Sequence, residues 1–158
     1  MEIHDHYRER VNSRLDNYLS SIPSSSNSVI ELRDIMKYSV LAGGKRFRPI
    51  LTYTVASLFD SKIDIADSSA CAIELIHIYS LIHDDLPSMD DDDIRHNQSA
   101  NHKVFGEAQA ILAGDGLQAL AFNIISSDPL IDINTKIKLL EIMASSSYAM
   151  AEGQSIDL

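Results

Sequence analysis

The sequence predicts an all-α fold of about six helices, and three observations carry that expectation. Apolar residues recur at helical spacing along most of the 158 residues. Only six Gly and four Pro interrupt them. No stretch alternates convincingly as a half-buried strand would.

The elements follow in order. Glu2 to Ser20 places Tyr7, Val11, Leu15, Tyr18 and Leu19 on one helical face. Pro23 and the serine-rich Ser24 to Ser28 break it. Val29 to Leu41 repeats the pattern through Ile30, Leu32, Ile35, Met36 and Val40, and Gly43-Gly44 ends it. A third helix is expected from about Pro49, which suits a first turn, to Phe59. The fourth and most apolar runs from Asp64 to Leu86, and the fifth from about Phe105 to Ser126. The sixth begins near Asn134, a good N-cap, and runs toward Leu158 with no evident stop signal.

Composition narrows the function. With 45% hydrophobic residues the chain can bury a core, and its length suits one domain. A formal charge of −10 argues against nucleic acid, whose backbone needs a basic face. It also argues against an anionic membrane surface. No signal peptide is legible, and no uninterrupted apolar run approaches the roughly 18 residues of an integral membrane segment, so a cytoplasmic protein is expected. The lone Cys71 lies in an apolar stretch and reads as a small buried hydrophobe.

The chemistry concentrates in two places. Asp84 to Asp93 carries six aspartates and ends the apolar fourth helix, with Arg95 just beyond. An isolated acidic run is ordinarily a solvated loop. This one sits at a helix mouth, where magnesium could use one or two carboxylates plus phosphate oxygens and waters. Asp84 and Asp90, brought together by the Leu86-Pro87 bend, would suit it. An EF-hand loop does not fit, since no register supplies its Gly and Glu. His77 lies seven residues before Asp84, on nearly the same face and about 10.5 Å away along the axis, with Ser80 and Leu81 between. Alone, it would read as a core histidine.

The second place is Gly43-Gly44-Lys45-Arg46-Phe47-Arg48-Pro49, three cations in four residues between two helices. It is not a P-loop. Arg48 offers a bidentate fork and Lys45 a point charge, so the turn suits an anion. A solvated basic turn is the ordinary alternative.

These segments, with His77-Ile78-Tyr79-Ser80-Leu81-Ile82-His83-Asp84-Asp85-Leu86-Pro87-Ser88-Met89-Asp90 and Gly153-Gln154-Ser155-Ile156-Asp157-Leu158, resemble the trans-isoprenyl diphosphate synthases. Phe105-Gly106-Glu107-Ala108 and Leu112-Ala113-Gly114-Asp115 resemble further family segments. The subgroup most similar is that of the bacterial farnesyl diphosphate synthases. The resemblance implies the N-terminal half of the isoprenoid synthase helical bundle. It implies a prenyltransferase that joins isopentenyl diphosphate to dimethylallyl or geranyl diphosphate, with Mg2+ as cofactor and a homodimer as the assembly. Asp84 and Asp90 would bind the metal, with Asp85 in support. Arg95 would contact the allylic diphosphate, completing the catalytic set. Gly44, Lys45, Arg48, His77 and His96 belong to the homoallylic diphosphate site. Gln154 and Asp157 would line the cavity. Tyr79, about 7.5 Å below Asp84, would limit product length, beside Ser80.

Two departures stand out. His96 occupies a position that is usually arginine in the family, and Asn97-Gln98-Ser99-Ala100 replaces an expected glycine and proline. A histidine is a weaker, pH-dependent cation, so weaker homoallylic binding is expected. Family members also run to about twice this length. Residues 1–158 are therefore expected to be one incomplete synthase domain lacking the second aspartate-rich motif, and inactive alone. One alternative is a non-catalytic, half-length partner of a full-length synthase. Another is an all-helical metal phosphohydrolase, suggested by His83-Asp84, although His77 on the same helix is wrongly arranged for it.

Overall fold

The computed structural model describes residues 3–23, 31–59 and 62–157. The serine-rich break at Ser24 to Ser28, the expected second-helix start at Val29, and Leu158 lie outside the described residues. Seven α-helices stand among those described: α1 Ile3–Ser20, α2 Leu32–Val40, α3 Phe47–Ser57, α4 Asp67–Asp84, α5 Asn101–Phe105, α6 Glu107–Ser127 and α7 Ile133–Asp157. A 3-10 turn, Ile63–Ala66, precedes α4, and a two-stranded antiparallel hairpin, β1 Ile94–Arg95 with β2 Gln98–Ser99, follows it.

The all-α expectation holds, with corrections at the joints. The expected fifth helix is α6, which begins at Glu107 because Gly106, with φ 87 and ψ 156, separates it from the short α5, a helix the sequence did not predict. The expected fourth helix starts as a 3-10 turn and stops at Asp84 rather than Leu86. The last helix is capped by Asp132, not Asn134: its Oδ1 accepts from the backbone N–H groups of Asn134 and Thr135 at 3.0 and 3.1 Å. The hairpin was not expected. Its two-residue loop, His96-Asn97, takes φ 50 and 64, the left-handed pair of a type I′ turn.

The core forms where α4 lies against α6. Cys71, Ala72, Leu75, Ile78 and Ile82 of α4 are buried, as are Ala110, Ala113, Leu117 and Ala121 of α6. Small residues on α6 let the two backbones approach closely. Val11, Leu15 and Leu19 of α1 and Ile35, Met36 and Val40 of α2 close one side. By length and mean hydropathy alone, Ile63–Asp84 and Glu107–Ser127 are long and apolar enough to cross a membrane, but neither is an uninterrupted apolar run, as expected. Asp115 interrupts the second, and Asp67 and Glu74 interrupt the first. Both carboxylates are buried and paired: Asp67 with Arg10, Arg14 and the Tyr53 hydroxyl, Glu74 with Arg46. Burial pushes the Cys71 thiol up, as suits a buried hydrophobe.

Candidate functional site

The acidic mouth is built by the loop that leaves α4. Asp84 is the last helical residue, and the chain folds back so that the Asp90 N–H donates to the Asp84 carbonyl at 2.8 Å. The Met89 and Asp91 N–H groups both donate to the Leu86 carbonyl, at 2.9 and 3.1 Å. Main-chain bonds thus hold residues 84 and 90 side by side.

Cations then divide the six carboxylates. Arg95 donates through Nε to Asp85 at 2.9 Å and pairs with Asp92 at 2.9 Å. Lys103 pairs with Asp93 at 2.7 Å and approaches Asp91 at 3.8 Å. Among the described residues Asp84 and Asp90 have no ion pair. The Asp84 carboxyl is pushed above the usual carboxylate range, first by burial, then by Asp90 and Asp85. Arg95 and His83 offset that repulsion only in part, and the rest is what a bound dication removes. Among the described residues no three His, Cys, Asp or Glu side chains converge as a self-sufficient metal cluster. Two adjacent carboxylates open to further oxygen ligands are the donor set magnesium uses beside a phosphate.

The basic turn is also divided. Gly43 and Gly44, with φ 95 and 119, turn the chain out of α2, and Arg46 sits left-handed at φ 50. Arg46 is 3% exposed. Its Nη1 donates to Glu74 at 2.8 Å, its Nε to the Asn12 side chain at 2.9 Å, and its Nη2 to the Val40 carbonyl. It therefore braces α1, α2 and α4. Lys45 and Arg48 carry no ion pair among the described residues. They line a pocket of about 320 Å3 with Gly44, His77 and His96. A Cβ on Gly44 would touch the His96 imidazole at 3.5 Å, but its φ excludes most other residues. Burial, then Arg48, holds His77 below its ordinary value. At neutral pH it is an uncharged imidazole that can donate one hydrogen bond to an anion.

An apolar cavity of about 530 Å3 joins the two charged ends. Arg48 and His77 line both it and the basic pocket. Ile73, Ile76, Leu139 and Met143 make its walls, and Asp84 stands at its other end. A chamber of about 290 Å3 lies beside it, sharing Ser80, Asp84 and Met150. Tyr79 and Gln154 line this smaller chamber, not the larger cavity.

The structure thus gathers Gly44, Lys45, Arg48, His77 and His96 at one end and Asp84, Asp90, Tyr79, Ser80 and Gln154 at the other. Asp85 is buried under Arg95, so both are already engaged with each other. Asp157 is exposed and lines none of these three spaces. Sequence reasoning did not single out Met150, which is shared by both chambers from α7. A methionine on an apolar face carries no signal of its own.

A helical bundle with an acidic and a basic pole across one apolar cavity defines the class, and comparison confirms it. The polyprenyl synthetase family profile matches residues 29–158, and the chain belongs to that family. It is similar to the farnesyl diphosphate synthases of Escherichia coli (42% identical, 95% of this chain and 50% of that protein) and Haemophilus influenzae (44%, 94% and 50%). Among solved structures it is similar to a geranyltransferase from Legionella pneumophila. The TM-score there is 0.93 at 39% identity, covering 99% of this chain and 55% of that one. A geranyltranstransferase from Thermotoga maritima superposes at 0.87 with 35% identity, covering 99% and 55%. The chain spans about half the length of the curated relatives it matches.

Proposed function

We propose that this chain supplies one half of a prenyltransferase site that condenses isopentenyl diphosphate with dimethylallyl or geranyl diphosphate to give farnesyl diphosphate. One observation carries the reading. Of six clustered aspartates, two are left without cations among the described residues: Asp84 lines the same cavity system as the two basic-turn cations left without anions, Lys45 and Arg48, and Asp90 is held beside it by the main-chain bond.

Asp84 and Asp90 would hold Mg2+, which as a Lewis acid makes an allylic diphosphate a competent leaving group. Arg95, already beside Asp85, adds positive charge at that end. Lys45, Arg48, His77 and His96 take the diphosphate of isopentenyl diphosphate. The apolar walls keep water from the allylic cation and align the alkene with it. No side-chain nucleophile is needed. Tyr79 and Ser80 bound the space for the growing tail.

In this reading residues 1–158 form one incomplete domain, the second aspartate set comes from elsewhere, the assembly is a homodimer, and the compartment is the cytoplasm. Isothermal titration should show an Mg2+-dependent component of pyrophosphate binding that disappears in Asp84→Asn, beside a metal-independent component at the basic pocket. No heat under any condition would remove the reading. A turnover assay on the 158-residue chain tests the half-site part, which robust farnesyl diphosphate formation would overturn.

A second reading, a non-catalytic partner of a full-length synthase, is favoured by apolar side chains left outward. These are Phe47, Leu51 and Val55 on α3, Leu58 just after it, and Ile133, Ile137 and Ile142 on α7. Particle mass, alone and with such a synthase, separates the two.

A further inference from the structure

His83 directly precedes Asp84, and its ring reaches across to α6. Its Nε2–H donates to the Ile111 carbonyl of α6 at 3.0 Å. The ring also stands edge-on to Tyr79, with centroids 5.3 Å apart at 88°. The space it fills on α6 is the space a side chain at residue 114 would need. A Cβ on Gly114 would lie 2.2 Å from Nε2, 2.6 Å from Cδ2 and 3.0 Å from Cε1 of His83. Gly114 is buried in mid-helix with no positive φ. Glycine there costs about 1 kcal/mol relative to alanine, so conformation is not its reason. Its reason is the recess.

His83 and Tyr79 are both walls of the chamber of about 290 Å3 beneath Asp84, opposite Met150, Ala151 and Gln154. A ring expelled from α6 has that chamber as its open side. We infer that Gly114 is a specificity-determining residue: by housing the His83 imidazole in α6 it sets the room available to an apolar tail whose diphosphate sits at Asp84. The inference rests on the proposed function for the identity of the tail. The recess itself does not depend on that reading.

Two measurements on the 158-residue chain test it. The first needs no ligand. In the parent, the 15N spectrum of His83 should show the Nε2–H tautomer, and Gly114→Ala should remove that signature. An unchanged His83 spectrum in Gly114→Ala overturns the inference.

The second compares Mg2+-dependent binding of pyrophosphate, dimethylallyl thiodiphosphate and geranyl thiodiphosphate. Gly114→Ala should leave pyrophosphate affinity within twofold of the parent and weaken the geranyl compound at least about tenfold, the scale of a misfitted methylene or two. The five-carbon compound should lose less. Adding His83→Ala to Gly114→Ala should restore geranyl binding, because the clash is gone. His83→Ala alone should improve a farnesyl thiodiphosphate relative to the geranyl one, which keeps the test available if Gly114→Ala folds poorly. Equal losses for all three ligands, or no recovery in a folded double variant, overturns the inference. Failure of pyrophosphate itself to bind the parent counts against the proposed function instead.

Discussion

The two charged ends of the cavity solve the same problem by different means. The acidic mouth holds six carboxylates and pairs four of them with only two cations, Arg95 and Lys103, and of those four only Asp85 is buried. The basic turn holds three cations and neutralises one, Arg46, with a carboxylate that is itself buried. At the mouth most of the carboxylates are paired, whereas at the turn two of three cations, Lys45 and Arg48, are left to face the cavity system. The difference lies in stiffness. Exposed pairs are weak and salt-screened, whereas removing one member of a buried pair strands a charge in low dielectric. The basic pole is therefore the more rigid, and the acidic pole, with a buried partner only at Asp85, the more adaptable.

The largest expected effect tests that stiffness. Arg46→Met should lower unfolding free energy by about 3–5 kcal/mol, because Glu74 is left buried without its cation. Urea denaturation measures it, and a loss under about 1 kcal/mol would mean the brace is dispensable. The second is Asp84→Asn. Its folded pKa lies above the unfolded value, so the native state binds the proton more tightly and the carboxyl's contribution falls as pH rises through the carboxylate range. At pH 7 the neutral amide should slightly raise the thermal midpoint of the ligand-free protein. It should also abolish the extra stabilisation by Mg2+ with pyrophosphate. A variant that is less stable without ligand, or still stabilised by it, would contradict the unpaired-carboxylate account.

Next comes His96→Arg. A fixed cation beside Gly44 should tighten pyrophosphate binding in the basic pocket by roughly fivefold, about 1 kcal/mol for a water-exposed charge at contact. Titration calorimetry reads it, and an unchanged affinity would place residue 96 outside the anion's reach. The smallest effect belongs to Lys103→Ala. Its pairs with Asp91 and Asp93 are exposed, so the thermal midpoint should scarcely move, and any shift should vanish in high salt. A large, salt-independent loss would show the acidic mouth to be as rigid as the basic turn.

Much of this was legible beforehand. Helical spacing located the long helices to within a few residues, since periodicity reports which face is buried. Asp84 and Asp90 could be paired from the Leu86-Pro87 bend. The hairpin could not be read, because strands of two residues have no alternation and His96-Asn97 is a weak turn signal beside Asn-Gly. Gly106 and Asp132 were visible, but a single residue only hints at a joint until the backbone conformation is known. Arg46 was indistinguishable from Lys45 and Arg48, since nothing local marks which of three neighbouring cations will meet a carboxylate 28 residues away. The partition of the aspartates was hidden for the same reason: Lys103 reaches back from another helix.

The Asp90 N–H bond to the Asp84 carbonyl works as a socket whose fit ignores what is plugged into it. Main-chain atoms alone make the joint, so glutamate, asparagine or cysteine at residue 90 would be presented from the same spot. On the proposed function, metal preference at this mouth could therefore be re-tuned one atom type at a time, with the frame left standing.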